Sequence, residues 1–176
     1  HFISAISFLT AYALIFSNPA VAALIGWLVS MVTRQSGHFF FEPLGYDHVN
    51  QATNEYKEAV KVGFNLKRKM ILIAIWALAP MSLYFDPTLF GLFEPAADRS
   101  ALIDQVGIIW LAVGVGGLLF RTVQLFFIRD VQTGLVWMTK ILTDPFHDLV
   151  LYYKAPFYLL RGQLIDPMDH AMQHKG

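Results

Sequence analysis

The sequence predicts an all-α integral membrane protein with about four transmembrane helices and additional interfacial amphipathic helices. Of its 176 residues, 56 % are hydrophobic and 15 % are charged, and the mean hydropathy is +0.49. Soluble domains are usually about 45–50 % apolar and about 25 % charged. Several apolar runs also approach the roughly 20 residues that a membrane-spanning helix needs. Together these observations indicate a single membrane domain over residues 1–176.

Four apolar runs of near-spanning length predict the transmembrane helices: about 2–17, 20–41, 70–85 and 106–128. Asn18-Pro19 separates the first two runs, and Pro is favoured in the first turn of a new helix. The first two spans are therefore expected to form a tight antiparallel hairpin. Such a hairpin places His1 and His38 on the same side of the membrane.

Three further segments are predicted to be interfacial helices, at about 50–68, 131–142 and 145–160. In the first segment, Tyr56, Val60 and Phe64 share one helical face and the charged residues lie elsewhere, as in an amphipathic helix. A solvated helix packed on the bundle explains that pattern equally well. The two later segments keep many aromatic residues, which favour the headgroup level of a membrane.

The fourth apolar run contains several glycines and one arginine. Small residues such as Gly114 and Gly117 let membrane helices approach closely, so this helix is expected to pack in the interior of the bundle. Arg121 lies in the last third of the run, and its guanidinium is expected to snorkel toward the membrane surface.

The distribution of basic residues predicts the orientation. With four spans both termini lie on one side, and Arg99 alone, of 13 Lys and Arg residues, lies in the loop on the other side. An excess of Lys and Arg marks the cytoplasmic side. The termini are therefore predicted to be cytoplasmic. The same topology places all six histidines on that face: His1, His38, His48, His147, His170 and His174.

Histidines and carboxylates near the second span suggest a metal site. His38 and Glu42 are four residues apart, on one face of a helix, and the hairpin brings His1 toward them. Ionisable residues at the edge of a bilayer are candidates for function by default. Histidine with carboxylate suits non-haem iron, and the absence of cysteine excludes thiolate ligands. A bound Fe(II) is the resulting hypothesis.

A second group, around Pro145, is predicted to complete this site. It contains Asp144, His147 and Asp148, of which Asp144 and His147 are the candidate ligands. His170 and His174 are again four residues apart, in the C-terminal tail. The alternative for any single histidine is an amphipathic side chain at the membrane surface with no ligand role.

Arg34 is the candidate binding residue for substrate, because a guanidinium pairs well with a carboxylate or phosphate. The alternative is a basic anchor on the cytoplasmic side. The balanced charge, with 13 basic and 13 acidic residues, gives no indication of a nucleic-acid partner.

The opening His1-Phe2-Ile3, the helical hairpin and the segment from Gly37-His38 to Glu42 resemble a small multi-pass membrane family. That family includes the endoplasmic-reticulum 2-hydroxy fatty acid dioxygenase and its bacterial relatives. The segment 137–162 is similar to the family's C-terminal segment. The resemblance implies iron-dependent α-oxidation of a 2-hydroxy fatty acid, and it extends residue by residue to His1, His38 and Glu42.

Two departures separate this chain from that family. The residues after Glu42, Pro43-Leu44-Gly45-Tyr46, differ from the basic residue and Arg-Pro-Ala segment usual there, and the additional spans over about 50–129 have no counterpart. A second hypothesis therefore stands beside the oxygenase. The chain would be a non-catalytic accessory subunit of a larger membrane complex, with partner subunits covering its aromatic-rich C-terminal region.

Overall fold

The computed structural model describes residues 1–37, 40, 46–47, 52–53, 55–56 and 66–162, and the regular secondary structure of these residues is helical apart from one short strand pairing. The helices are α1 Phe2–Leu14, α2 Pro19–Leu24, a π-helix Ile25–Met31, α3 Val32–Ser36, α4 Leu66–Leu78, a 3-10 helix Ala79–Met81, α5 Ser82–Phe85, α6 Arg99–Ile128, α7 Val131–Tyr152 and α8 Ala155–Leu160. Strands β1 Tyr46–Asp47 and β2 Ala52–Thr53 pair antiparallel.

The chain turns sharply between α1 and α2. Asn18 caps α2, since its side-chain oxygen accepts a hydrogen bond from the N–H of Val21 at 3.1 Å, and Pro19 occupies the first turn. At the other end of this hairpin the ring of His1 lies against Gly37. A Cβ atom placed on Gly37 would be 3.0 Å from His1 Nε2. The two helices therefore run antiparallel, and the His1 ring packs so closely on Gly37 that a Cβ atom there would require the ring to shift.

The second helix of the hairpin is a continuous rod from Pro19 to Ser36 with a π-helical middle, Ile25–Met31. At about 1.5 Å per residue the rod is about 26 Å long. A π segment widens the turn and changes the direction in which later side chains point, and such segments are frequent at functional sites. Arg34 follows the segment by three residues.

Small residues and tryptophans form the contacts between the helices. Gly107 of α6 packs directly on the backbone of Ala20, because a Cβ atom at position 107 would be 2.6 Å from the Ala20 carbonyl oxygen. The indoles of Trp76 and Trp110 each donate to the other residue's carbonyl, at 3.0 and 3.1 Å, and Trp27 packs on both rings. This exchange fixes α4 against α6.

The structure corrects the helix boundary that was predicted near Pro145. Segments 131–142 and 145–160 are not two helices: α7 runs unbroken through Pro145 to Tyr152, and only the short α8 follows. Proline lacks the N–H that would bond the carbonyl one turn earlier. Here Pro145 is buried, and the hydroxyl of Tyr12 donates to the nearby Leu142 carbonyl at 3.2 Å. Tertiary contacts thus surround the turn of α7 that contains Pro145.

Helix α7 also lies along α1. Near one end Tyr12 contacts Leu142, and at the other end the His1 ring stacks on Tyr152 with centroids 5.0 Å apart. The two helices are therefore antiparallel over their contact. Helix α7 returns from α6 after a two-residue connection, and Gly134 fits against the Phe126 ring and the Thr122 carbonyl.

Helix α6 is, among the described residues, the one helix that is long and apolar enough to cross a membrane. It has 30 residues, beginning at Arg99 rather than near 106, because the Asp98 side chain caps it through the N–H of Ala101. Only 17 % of its most apolar window is buried. The other predicted spans are shorter or divided, with α1 and 70–85 as shorter apolar helices.

The predicted helix at about 50–68 begins later than expected. Ala52 and Thr53 pair with Asp47 and Tyr46 as a two-residue strand instead. Helical backbone follows at Glu55 and Tyr56, where the N–H of Tyr56 bonds the Thr53 hydroxyl at 3.2 Å. A Thr side chain that accepts this bond is a typical helix start. Most of the remaining segment lies outside the described residues.

Candidate functional site

Arg34 is the centre of a polar cluster between the helical hairpin and α7. Its Nη1 donates to Asp148 Oδ2 at 2.6 Å, and its Nη2 contacts Asp144 Oδ2 at 3.4 Å. All three side chains are largely enclosed, with 23 % of Arg34, 21 % of Asp144 and 13 % of Asp148 exposed. Charged groups in such surroundings are stabilised by pairing and hydrogen bonding. The cluster therefore ties α3 to α7.

The local sequence explains why two carboxylates reach one guanidinium. Asp144 and Asp148 are four residues apart on α7, so both project from the same face of that helix. Arg34 lies in the last turn before Gly37 on the facing element. One positive and two negative charges meet there, and the shorter contact belongs to Asp148. The Arg34 fork is thus engaged by protein carboxylates in this structure.

Tyr12 extends the cluster to a third helix. It is the one tyrosine of α1, and its hydroxyl donates to the Leu142 carbonyl one turn away from Pro145. Its ring also packs near Phe8 and Phe146. Through Tyr12 and Arg34, the helical hairpin contacts α7 at two successive levels.

His1 lies beside this cluster, at the open end of the hairpin. Its ring stacks on Tyr152 at an interplanar angle of 24°, and its Nε2 edge faces Gly37. The start of α1 therefore lies at Gly37, which precedes His38 in the sequence. The predicted proximity of His1 to the end of the second span is thus present at Gly37. His38 and Glu42 themselves lie outside the described residues, as do His48, His170 and His174.

The remaining predicted ligands differ in their surroundings. Asp144 is the partner of Arg34, whereas His147 is exposed on α7. Within the described ranges of the chain, no three His, Asp or Glu side chains are grouped closely enough to hold a metal ion. The ligand roles of His1, His38, Glu42, His147 and Asp144 stay predictions.

A shallow cleft lies elsewhere, on the first turns of α7. It has a volume of about 480 Å³ and is lined by Asp130, Gln132, Thr133, Val136, Trp137 and Lys140. None of these is a predicted site residue.

The sequence missed two contributors to the site and one pairing. Tyr12 and Tyr152 were not among the candidates, and the pairing of Arg34 with Asp148 joins residues 114 positions apart. The four-residue spacing of Asp144 and Asp148 was a usable signal for a two-carboxylate face. Nothing in the sequence specifies which basic residue meets that face.

Comparison of this chain with family models, curated proteins and solved structures finds no match. The resemblance to the 2-hydroxy fatty acid dioxygenase family therefore stays a prediction from the residues that carry it.

Proposed function

We propose that this chain is a multi-pass membrane protein that acts as a metal-dependent oxygenase on 2-hydroxy fatty acids or a related lipid. The membrane half of the proposal is supported by α6, whose length of about 45 Å exceeds the roughly 30 Å hydrocarbon layer. A core helix of a soluble protein of this length would be mostly buried, whereas only 17 % of the α6 apolar window is buried.

Three other segments support more than one crossing. They are the rod from Pro19 to Ser36 and the apolar helices α1 and α4–α5. Many apolar side chains along them are exposed, such as Ile71, Leu72 and Ile75, which is consistent with contact to lipid. In the proposed topology the termini are cytoplasmic, because twelve of the 13 basic residues fall on that side.

The enzymatic half of the proposal rests on one observation: His1 packs against Gly37. Gly37 is the first residue of the segment from Gly37-His38 to Glu42 that carries the family resemblance. This contact supports the proposal that His1 shares a metal ion with His38 and Glu42. His147 and Asp144 are candidates to complete the set. When bound, Fe(II) would supply the activation of O₂.

The chain's own residues would orient and enclose the substrate. Tyr152 stacks on the His1 ring and limits its rotation, and Gly37 leaves the space that the ring occupies. Arg34 is the proposed partner for a substrate carboxylate, in competition with Asp148 and Asp144. The acyl chain of the substrate would lie against the apolar hairpin.

Metal analysis of purified protein tests this proposal. Iron is expected in the wild type and lost in both His1→Ala and His38→Ala, and Tyr152→Phe, which keeps the stacked ring, is the matched control. Incubation with a 2-hydroxy fatty acid and O₂ should yield a fatty acid one carbon shorter, measured by mass spectrometry. Iron retained in His147→Ala removes His147 from the ligand set. Wild type without metal or product contradicts the oxygenase.

The accessory-subunit hypothesis has support from α8. Phe157, Leu159 and Leu160 of this short helix are exposed at 64 %, 60 % and 86 %. Large exposed apolar groups at the end of a bundle are typical of contacts with another protein. Two results together would favour the subunit. Partner proteins would co-purify in constant ratio and be lost when these three residues are changed to Ser, and the wild type would contain no metal.

A further inference from the structure

Arg121 is the single charged residue in the apolar segment 106–128 of α6. It lies seven residues before the end of the helix at Ile128, which corresponds to about 10 Å along the axis. A guanidinium placed on a membrane-spanning helix costs about 2.5–3.5 kcal/mol at the centre and less near the surface. Such a residue is expected to have a counter-charge or a path to water.

The Arg121 side chain is held by a neighbour on its own helix. Its Nη1 donates to Gln124 Oε1, three residues later, at 2.6 Å. Side chains on a helix lean toward its N-terminus, so the Gln124 amide lies over the turn that contains Arg121. The charged head is thereby held beside the Gln124 amide, in the last third of α6.

The partner of Arg121 is neutral. Among the described residues, the ion pairs between side chains belong to Arg34, and none involves Arg121. A guanidinium carries five N–H donors, and Gln124 accepts from one nitrogen. The remaining donors form a planar fork whose geometry matches two oxygens of a phosphate group. Apart from the bond to Gln124, the guanidinium has no hydrogen-bond or ion-pair partner among the described residues.

We propose that Arg121, held by Gln124, binds the phosphate of a membrane phospholipid at the C-terminal end of α6. The site rests on the proposed insertion of α6 into a membrane, and it is independent of the metal site and of catalysis. A phosphate oxyanion could also come from free inorganic phosphate. The helix end is where a bilayer presents phospholipid phosphates, and the exposed apolar residues Phe120, Val123 and Phe127 offer contacts for an acyl chain.

The lipid that remains with the detergent-purified protein tests the site. We expect phospholipid, measured as organic phosphorus and by native mass spectrometry, on the wild type and about tenfold weaker retention in Arg121→Gln. Gln124→Leu should weaken retention less, because the guanidinium remains. Arg99→Gln is the matched control: it removes the same charge from the exposed start of the same helix and should leave retention unchanged.

Competition distinguishes the two sources of phosphate. A short-chain phosphatidylglycerol should displace the retained lipid, and inorganic phosphate at the same concentration should not. Displacement by inorganic phosphate, or equal lipid retention in wild type and Arg121→Gln, overturns the lipid site. Alkaline extraction of membranes separates the two proposals. Release of the wild-type protein overturns both membrane insertion and the lipid site. If the Arg121→Gln protein stays in the membrane and retains as much lipid as the wild type, only the lipid site is overturned.

Discussion

Two arginines interrupt apolar helices of this protein, and their surroundings differ. Arg34 meets two carboxylates from another helix, at 2.6 and 3.4 Å, whereas Arg121 bonds a neutral amide on its own helix. The first charge is matched inside the bundle and connects α3 to α7. The second is oriented by its own helix and connects no two elements. A charge of the same type therefore contributes to the fold at one position and is available to a ligand at the other.

This comparison predicts losses of different size when each charge is removed. Arg34→Met leaves two largely enclosed carboxylates without a counter-charge, which should cost about 3 kcal/mol of unfolding free energy. Arg121→Met removes an unmatched cation from an apolar helix and should change stability by less than about 1 kcal/mol. Chemical unfolding of both variants in the same detergent measures the difference. Equal losses would show that the two arginines do not differ in the way described.

The two carboxylates should rank by their distance from Arg34. Asp148→Asn removes the 2.6 Å charge-assisted bond and should cost about 2 kcal/mol, since hydrogen bonds to charged groups contribute about 1.5–3 kcal/mol. Asp144→Asn removes the longer contact and leaves the stronger one, so we expect a loss below about 1 kcal/mol. A reversed order would place the ion pair at Asp144. The unfolding midpoint in urea provides the ranking.

Tyr12 should contribute less than the ion pair, because both of its bonding groups are neutral. Tyr12→Phe keeps the ring and removes the hydroxyl that donates to the Leu142 carbonyl, for an expected loss of about 1 kcal/mol. Tyr84→Phe is the control, since Tyr84 is 85 % exposed. Similar melting temperatures of the two variants would mean that the bond near Pro145 adds nothing to α7.

The smallest expected effect on stability is that of Asp130. Its carboxylate is exposed to solvent, unlike the two carboxylates beside Arg34. Hydrogen bonds from the N–H and hydroxyl of Thr133 lower the pKa of Asp130. Because the folded pKa lies below the unfolded one, its stabilisation is present above the unfolded pKa and is lost as the pH falls through the folded pKa. Asp130→Asn should flatten this portion of the stability–pH curve slightly. An unchanged acid limb would exclude Asp130 as a contributor.

Local signals in the sequence predicted several elements because their causes are local. Asn18-Pro19 specifies a cap and a first helical turn, and both are present. The apolar run at 106–128 is helical, although the Asp98 cap moves its start to Arg99. The sequence predicted four spans, whereas a single helix among the described residues has the length and apolarity of a span.

The sequence did not predict the features that depend on distant contacts. Pro145 indicated a helix boundary, and α7 continues through it where Tyr12 and the α1 packing support the weakened turn. The π-helix at Ile25–Met31 carries no composition signal. Arg34 was expected to bind a substrate or mark the cytoplasmic side, and its pairing with Asp148 required knowledge of how α3 lies against α7.

The sequence by itself determined the helical class, the apolar character of the long helix and the hairpin that begins at Asn18-Pro19. These follow from hydrophobic content, spacing and turn chemistry within a few residues. Only the tertiary structure decided which charges are matched, because a guanidinium at position 34 and carboxylates at 144 and 148 become neighbours only after α7 packs along the hairpin. Electrostatic pairing depends on distance in space, and separation along the chain does not determine it.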